Sequence, residues 1–161
     1  VINEGLEQLS SWHREGFDQL QLAINISGIQ IQRDNLVEQI DHSLQRLQID
    51  PESVELEITE SVLIDFPERA TDVLMALRDL GVSLALDDFG TDYSSLSNLK
   101  RYPITALKVD KSFVRDILED PNDAAITRAV VAMGQSLDIH VVAEGWRAAN
   151  TPTTYKVSAV S

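Results

Sequence analysis

Apolar residues alternate with polar or small ones in five short runs of the chain, and each run ends in a functional group. In Leu22-Ala23-Ile24-Asn25-Ile26 the large side chains face one way, and Ala23 and Asn25 the other. A strand places successive side chains on opposite faces, so parity assigns each residue a side. By the same rule Val54, Leu56 and Ile58 oppose Glu57 and Thr59, and Leu84 and Leu86 oppose Ala85 and Asp87. Leu107 and Val109 oppose Ala106, Lys108 and Asp110, and Val141 and Ala143 oppose Val142 and Glu144. One face is apolar throughout. The other carries small residues and then, near the C-terminal ends, Asn25, Glu57, Asp87, Lys108 and Glu144.

Helical periodicity fills most of the intervals. Ile2, Leu6 and Leu9 form one stripe, which Gly16 ends. Asp34 or Asn35 caps a second, with Leu36, Val37, Ile40, Leu44 and Leu47. Pro67 opens a third, with Ala70, Val73, Leu74, Leu77 and Leu80 inward, and Gly81 stops it. Asn122 or Asp123 starts a fourth, with Ile126, Val130, Met133 and Leu137 inward. Strands are expected over 21–27, 54–59, 82–87, 105–109 and 139–143. A polar loop, Asp88 to Ser95, follows the third strand and leads into a short helix before Tyr102-Pro103. After Trp146 both periods stop, so residues 1–145 read as one domain and 146–161 as a loose tail.

Strands that alternate with helices predict a parallel α/β sheet, and in a β/α barrel the chemistry gathers at the C-terminal strand ends. A closed eight-stranded barrel takes roughly 250 residues, and this chain has 161. About five parallel strands therefore mean either a smaller open α/β sheet or part of a TIM-type (β/α) barrel.

The net charge is -13, from 26 acidic and 13 basic residues. That argues against broad binding to DNA or RNA, which needs a basic stripe. There is no cysteine, hence no disulfide or thiolate chemistry. No apolar run approaches the ~20 residues of a membrane span, so no membrane contact is expected of this segment.

The inner-face residues suit a hard divalent cation, which takes several oxygen ligands. A single strand-end carboxylate more often caps a helix or faces water. Five functional groups on one parity go beyond that. Asp87 and Asp88 sit where the backbone turns out of a strand and can serve one ion or two neighbouring ones. Lys108 can hold a water, neutralise a phosphate oxygen or pair with an inner carboxylate. Glu144 can act as a general base. Glu60 lies past its strand and suits the anchoring of a neighbouring loop. Gly90 gives the Asp88–Ser95 loop the freedom to gate the site. His13 and His42 fall on helices as surface or structural residues, and His140 is expected to pack on the fifth strand.

Asn25-Ile-Ser27, Glu57-Ile-Thr-Glu60, Asp87-Asp-Phe-Gly-Thr91 with Tyr93-Ser-Ser-Leu96, Lys108-Val-Asp110, Ser112-Phe-Val114 and Val142-Ala-Glu-Gly145 stand in a telling order and spacing. Together they resemble the EAL-type cyclic-di-GMP phosphodiesterases of bacteria. The resemblance implies a modified TIM barrel in which two Mg²⁺ or Mn²⁺ ions help hydrolyse cyclic di-GMP to linear pGpG. It implies that Asn25, Glu57 and Asp87 are metal ligands, with Asp88 on the second ion. Lys108 would orient the attacking water, and Glu144 would stand near the second metal as base. Glu60 would hold the lid loop that carries Gly90 and Thr91, and Asp110 would be a supporting carboxylate. A homodimer through the lid-loop region and a cytoplasmic setting, including the cytoplasmic part of a membrane-attached sensor, follow from the same resemblance. The Glu-Ala-Leu signature and the last strand with its glutamine are absent from the sequence, and Asp92 replaces the usual lid glycine. The chain alone is therefore expected to be weakly active or inactive. The alternative is a non-catalytic module that binds cyclic di-GMP or a protein. A magnesium barrel enzyme that stabilises an enediolate is the third reading, and the motif order disfavours it.

Overall fold

The computed structural model describes residues 2–65, 67–89, 101–115, 120–143 and 157–158. Helix α1 (Ile2–Arg14) leads into strand β1 (Leu22–Asn25), short helix α2 (Gly28–Gln32) and helix α3 (Leu36–Leu47). A 3₁₀ turn at Pro51–Ser53 feeds β2 (Val54–Thr59), followed by α4 (Glu60–Asp65), α5 (Pro67–Asp79) and β3 (Ser83–Phe89). Next come β4 (Ala106–Val109), α6 (Lys111–Arg115), α7 (Pro121–Leu137), β5 (His140–Ala143) and a two-residue strand, β6 (Val157–Ser158).

The strands lie side by side in chain order. β1 to β5 are parallel, and β6 is antiparallel to β5. Each parallel crossover is right-handed in nearly all proteins. A sheet wound in one direction without a reversal therefore collects its crossover helices on a single face, as a barrel does. A doubly wound sheet reverses order at a switch point and has helices on both faces. The order observed is that of a partial β/α barrel, and it leaves one face of the sheet for the polar residues.

The registers place the large apolar residues together. Leu22 pairs with Val54, Ile24 with Leu56, Leu56 with Leu84 and Leu107 with Val141. These residues meet Leu6, Leu9, Ile40, Leu74 and Leu77, all almost fully buried, between sheet and helices. Each such side chain contributes about 1.5–3 kcal/mol through its removal from water. Helix α1 is fixed on α3 by Asn3 Oδ1, which accepts from Gln39 Nε2 and Ser43 Oγ, both at 3.2 Å. Gly81, at φ +96°, ends α5 in a backbone conformation that side chains disfavour.

The main helices and all five strands stand where the periodicity puts them. Three short helices, α2, α4 and α6, are additions to that reading. The last long helix begins at Pro121, with Asp120 as its cap, accepting from Asn122 N at 2.7 Å. Ile126 is 38% exposed and so is not on the inward stripe. His140 is exposed as well, although it keeps the inner parity. The lid loop, the short helix before Tyr102 and the tail, apart from 157–158, lie outside the described residues. Among the described residues no helix is long and apolar enough to cross a membrane.

Candidate active site

Asn25 pairs with Glu57, Glu57 with Ala85, and Ala85 with Ala106, so these four share one level of the inner face. Two residues further along, Thr59 is level with Asp87. Lys108 belongs to the same inner face on β4, opposite Val142. Parity alone therefore aligns Asn25, Glu57, Asp87 and Lys108, and the ladder agrees.

Lys108 is on β4 and Glu57 on β2, with β3 between them. Neighbouring strands are about 4.8 Å apart, so the lysine must span β3. The inner-face residue of β3 level with Glu57 is the small Ala85. The result is a buried ion pair, with Lys108 5% and Glu57 6% exposed, in which Lys108 Nζ donates to Glu57 Oε1. The same Nζ lies 3.9 Å from Glu55 Oε1, one inner-face position before Glu57. The sequence reading passed over Glu55, yet the alternation that selected Glu57 also selects it.

Asp87 and Asp88 owe their arrangement to a bulge. Leu86 pairs with Leu107 and Phe89 with Val109, so three steps on β3 match two on β4. One residue is extra, which defines a β-bulge. Asp88 takes a left-handed conformation, φ +54°. Its N–H donates to Asp87 Oδ1 at 3.0 Å. Leu86 and Phe89 both stay in the core on either side of the two carboxylates. Asp88 is exposed and Asp87 is half-buried.

Glu60 is buried at the first position of α4, a favourable place for a negative charge. Asp110 Oδ1 accepts from Ser112 N at 2.8 Å and from Ser112 Oγ, which holds the start of α6. Gly90, Thr91 and Glu144 lie outside the described residues. Glu144 directly follows β5, whose inner-face residue is Val142.

Asn25, Glu57 and Asp87 are oxygen donors at the C-terminal ends of three adjacent parallel strands, the donor type that Mg²⁺ and similar cations take. In kind, this set fits such an ion. Among the described residues no three His, Cys, Asp or Glu side chains come together closely enough to hold a metal. One reason is local: the Glu57 carboxylate is given to Lys108. A cleft of about 460 Å³ opens beside Asn25, lined also by Ser27, Gln30 and Arg33.

The EAL domain family model matches residues 1–147. The signaling protein YkoW of Bacillus subtilis is 44% identical over 145 residues, which are 90% of this chain and 18% of that protein. The cyclic di-GMP phosphodiesterase NbdA of Pseudomonas aeruginosa is 41% identical, with the same coverage of 90% and 18%. The chain thus spans less than a fifth of the length of these curated relatives. Among solved structures, the PaMucR phosphodiesterase in complex with c-di-GMP superposes with a TM-score of 0.84 at 36% identity. The match covers 91% of this chain and 60% of that one. The structural neighbours are EAL domains, which are TIM-barrel-like. From its motifs, its sheet and its matched length, the chain belongs to the EAL domain family.

Proposed function

We propose that this chain is the interior of a metal-dependent phosphodiesterase domain that hydrolyses cyclic di-GMP to linear pGpG. The observation that carries the reading is the buried Lys108–Glu57 pair on the inner face, level with Asn25 and next to the Asp87-Asp88 bulge. A desolvated lysine among oxygen donors at barrel strand ends suits a reaction that handles phosphate charge. Kinship supports the same reading. NbdA and PdeR, both 41% identical, are named cyclic di-GMP phosphodiesterases.

Asn25, Glu57 and Asp87 would hold one Mg²⁺ or Mn²⁺, with Asp88 serving a second. Such ions supply Lewis acidity toward a phosphate oxygen and make water a better nucleophile at neutral pH. The chain's own residues do the rest. Asn25 gives an oxygen without adding charge. Lys108 donates to the attacking water and offsets phosphate charge. Glu144 takes the proton of that water as the new P–O bond forms and the bond from phosphorus to the 3′ ester oxygen breaks, and the released oxyanion takes a proton from solvent. Glu60, at the head of α4, anchors the loop of Gly90 and Thr91, which gates the site. Asp110 supports the inner face while it caps α6. The unit extends over residues 1–145, followed by a tail. A homodimer through the lid-loop region and a cytoplasmic setting belong to the same proposal.

The test is hydrolysis of cyclic di-GMP by this chain with excess Mg²⁺ or Mn²⁺, read as pGpG. Asp87→Asn keeps the shape of the side chain and removes its charge, and should lower turnover by about 100-fold or more. Turnover that survives this change overturns the role of Asp87. Absence of turnover fits the impaired, incomplete site expected of this chain, and a titration with cyclic di-GMP then separates a non-catalytic binding module from an inert chain.

A further inference from the structure

We propose that Glu55 is a positioning residue for Lys108, an inference that rests on the metal-phosphodiesterase reading above. Lys108 Nζ is paired with Glu57 Oε1 and stands 3.9 Å from Glu55 Oε1. The Glu55 side chain is 19% exposed, so its charge is only partly screened by water. It precedes Glu57 by one inner-face position, deeper in the sheet and away from the strand ends. The lysine therefore has two carboxylates of β2 within 4 Å of its ammonium, one nearer the strand ends than the other.

That geometry settles a conflict within the site. Glu57 is wanted both by Lys108 and by a cation. When a dication draws on Glu57, the ammonium loses part of its counter-charge and faces a like charge at short range, in a poorly solvated place. A carboxylate on the far side of Glu57 keeps the ammonium neutralised and draws it inward. Glu57 is then free to serve the cation, while Lys108 stays within reach of the reacting phosphate. Glu55 touches no substrate in this account and acts only through the lysine.

The experiment measures Mn²⁺ affinity of the full chain, by the electron paramagnetic resonance of free ion, for wild type, Glu55→Gln, Lys108→Met and the double variant. Glu55→Gln keeps the volume and hydrogen-bonding capacity of the side chain. It should weaken Mn²⁺ binding about tenfold, because Lys108 then holds Glu57 more tightly. In the Lys108→Met background the same change should have an effect of less than about twofold, since the residue acts through the lysine. Equal losses in both backgrounds overturn the proposal. If Glu55→Gln alone fails to fold, a folded double variant supports the proposal and an unfolded one overturns it.

A metal-free arm separates this inference from the reading it rests on. In chelator, Glu55→Gln and Glu57→Gln should lower the melting temperature by more together than the sum of their separate effects, because both share one ammonium. Additive shifts overturn the role of Glu55. Wild type that binds no Mn²⁺ while the shifts remain more than additive overturns the metal reading alone.

Discussion

Lys108→Met is expected to destabilise the metal-free chain by about 3 kcal/mol, with a drop of roughly 6–12 °C in melting temperature for a domain of this size. The lysine and Glu57 side chains are 6% and 8% exposed, so both charges have left water to form the pair. Methionine keeps an apolar stem but leaves the Glu57 carboxylate buried without its ammonium. Removal of one partner from such a pair costs far more than the pair itself contributes. Mn²⁺ should restore a large part of the loss, because it supplies positive charge at the same carboxylate. Turnover should not return, since the proposed role of Lys108 is to orient the attacking water, and a loss of about 10²–10³-fold is expected. The check is a pair of thermal melts, in chelator and in Mn²⁺, beside the pGpG assay. Identical melts for variant and wild type in chelator would show that the ion pair is irrelevant to folding.

Gly134→Ala should destabilise the chain by about 2 kcal/mol, although alanine is the better helix former by about 1 kcal/mol. Gly134 is buried in α7 where that helix lies against β5. An added Cβ would come 2.3 Å from Val141 Cγ2 and 2.9 Å from the Ile139 carbonyl oxygen. Val141 is a stiff β-branched side chain, 4% exposed, with little room to rotate. The carbonyl belongs to the tight turn in which the Ile139 N–H donates to Gly134 O at 2.9 Å and Asp138 is left-handed. Neither neighbour can yield unless α7 lifts from the sheet. Gly134→Val should therefore separate α7 from β5 and, with it, disturb the strand that leads to Glu144. Denaturant melts of the two variants check this order. A Gly134→Ala chain more stable than wild type would mean that α7 packs less closely than described.

The elements that were legible in the sequence are those with enough residues to show a period. Strand alternation marked β1 to β5, and with them the common face of Asn25, Glu57, Asp87 and Lys108. Helices α2, α4 and α6 have five or six residues. That is less than two turns, so no stripe can be read from them. Ile126 was misplaced because α7 is apolar on more than one side, and a stripe is then ambiguous. The bulge at Asp88 was not legible either. It is a relation between two strands, and an aspartate at positive φ carries no signal in composition. The Lys108–Glu57 pair was open to inference as one of three roles for the lysine. Its reach from β4 across β3 to β2 needed the register.

The extra residue in β3 also sets selection for stability against selection for chemistry. At φ +54° Asp88 holds a shape that a side chain disfavours by roughly 1–2 kcal/mol, somewhat less for aspartate. Asp88→Gly should raise the melting temperature by a few degrees, as a melt would show, while it deletes the second carboxylate. On the proposed function, copies of this domain released from phosphodiester chemistry would therefore drift toward glycine at this position, and those still under that selection would keep the acid against the preference of their own backbone.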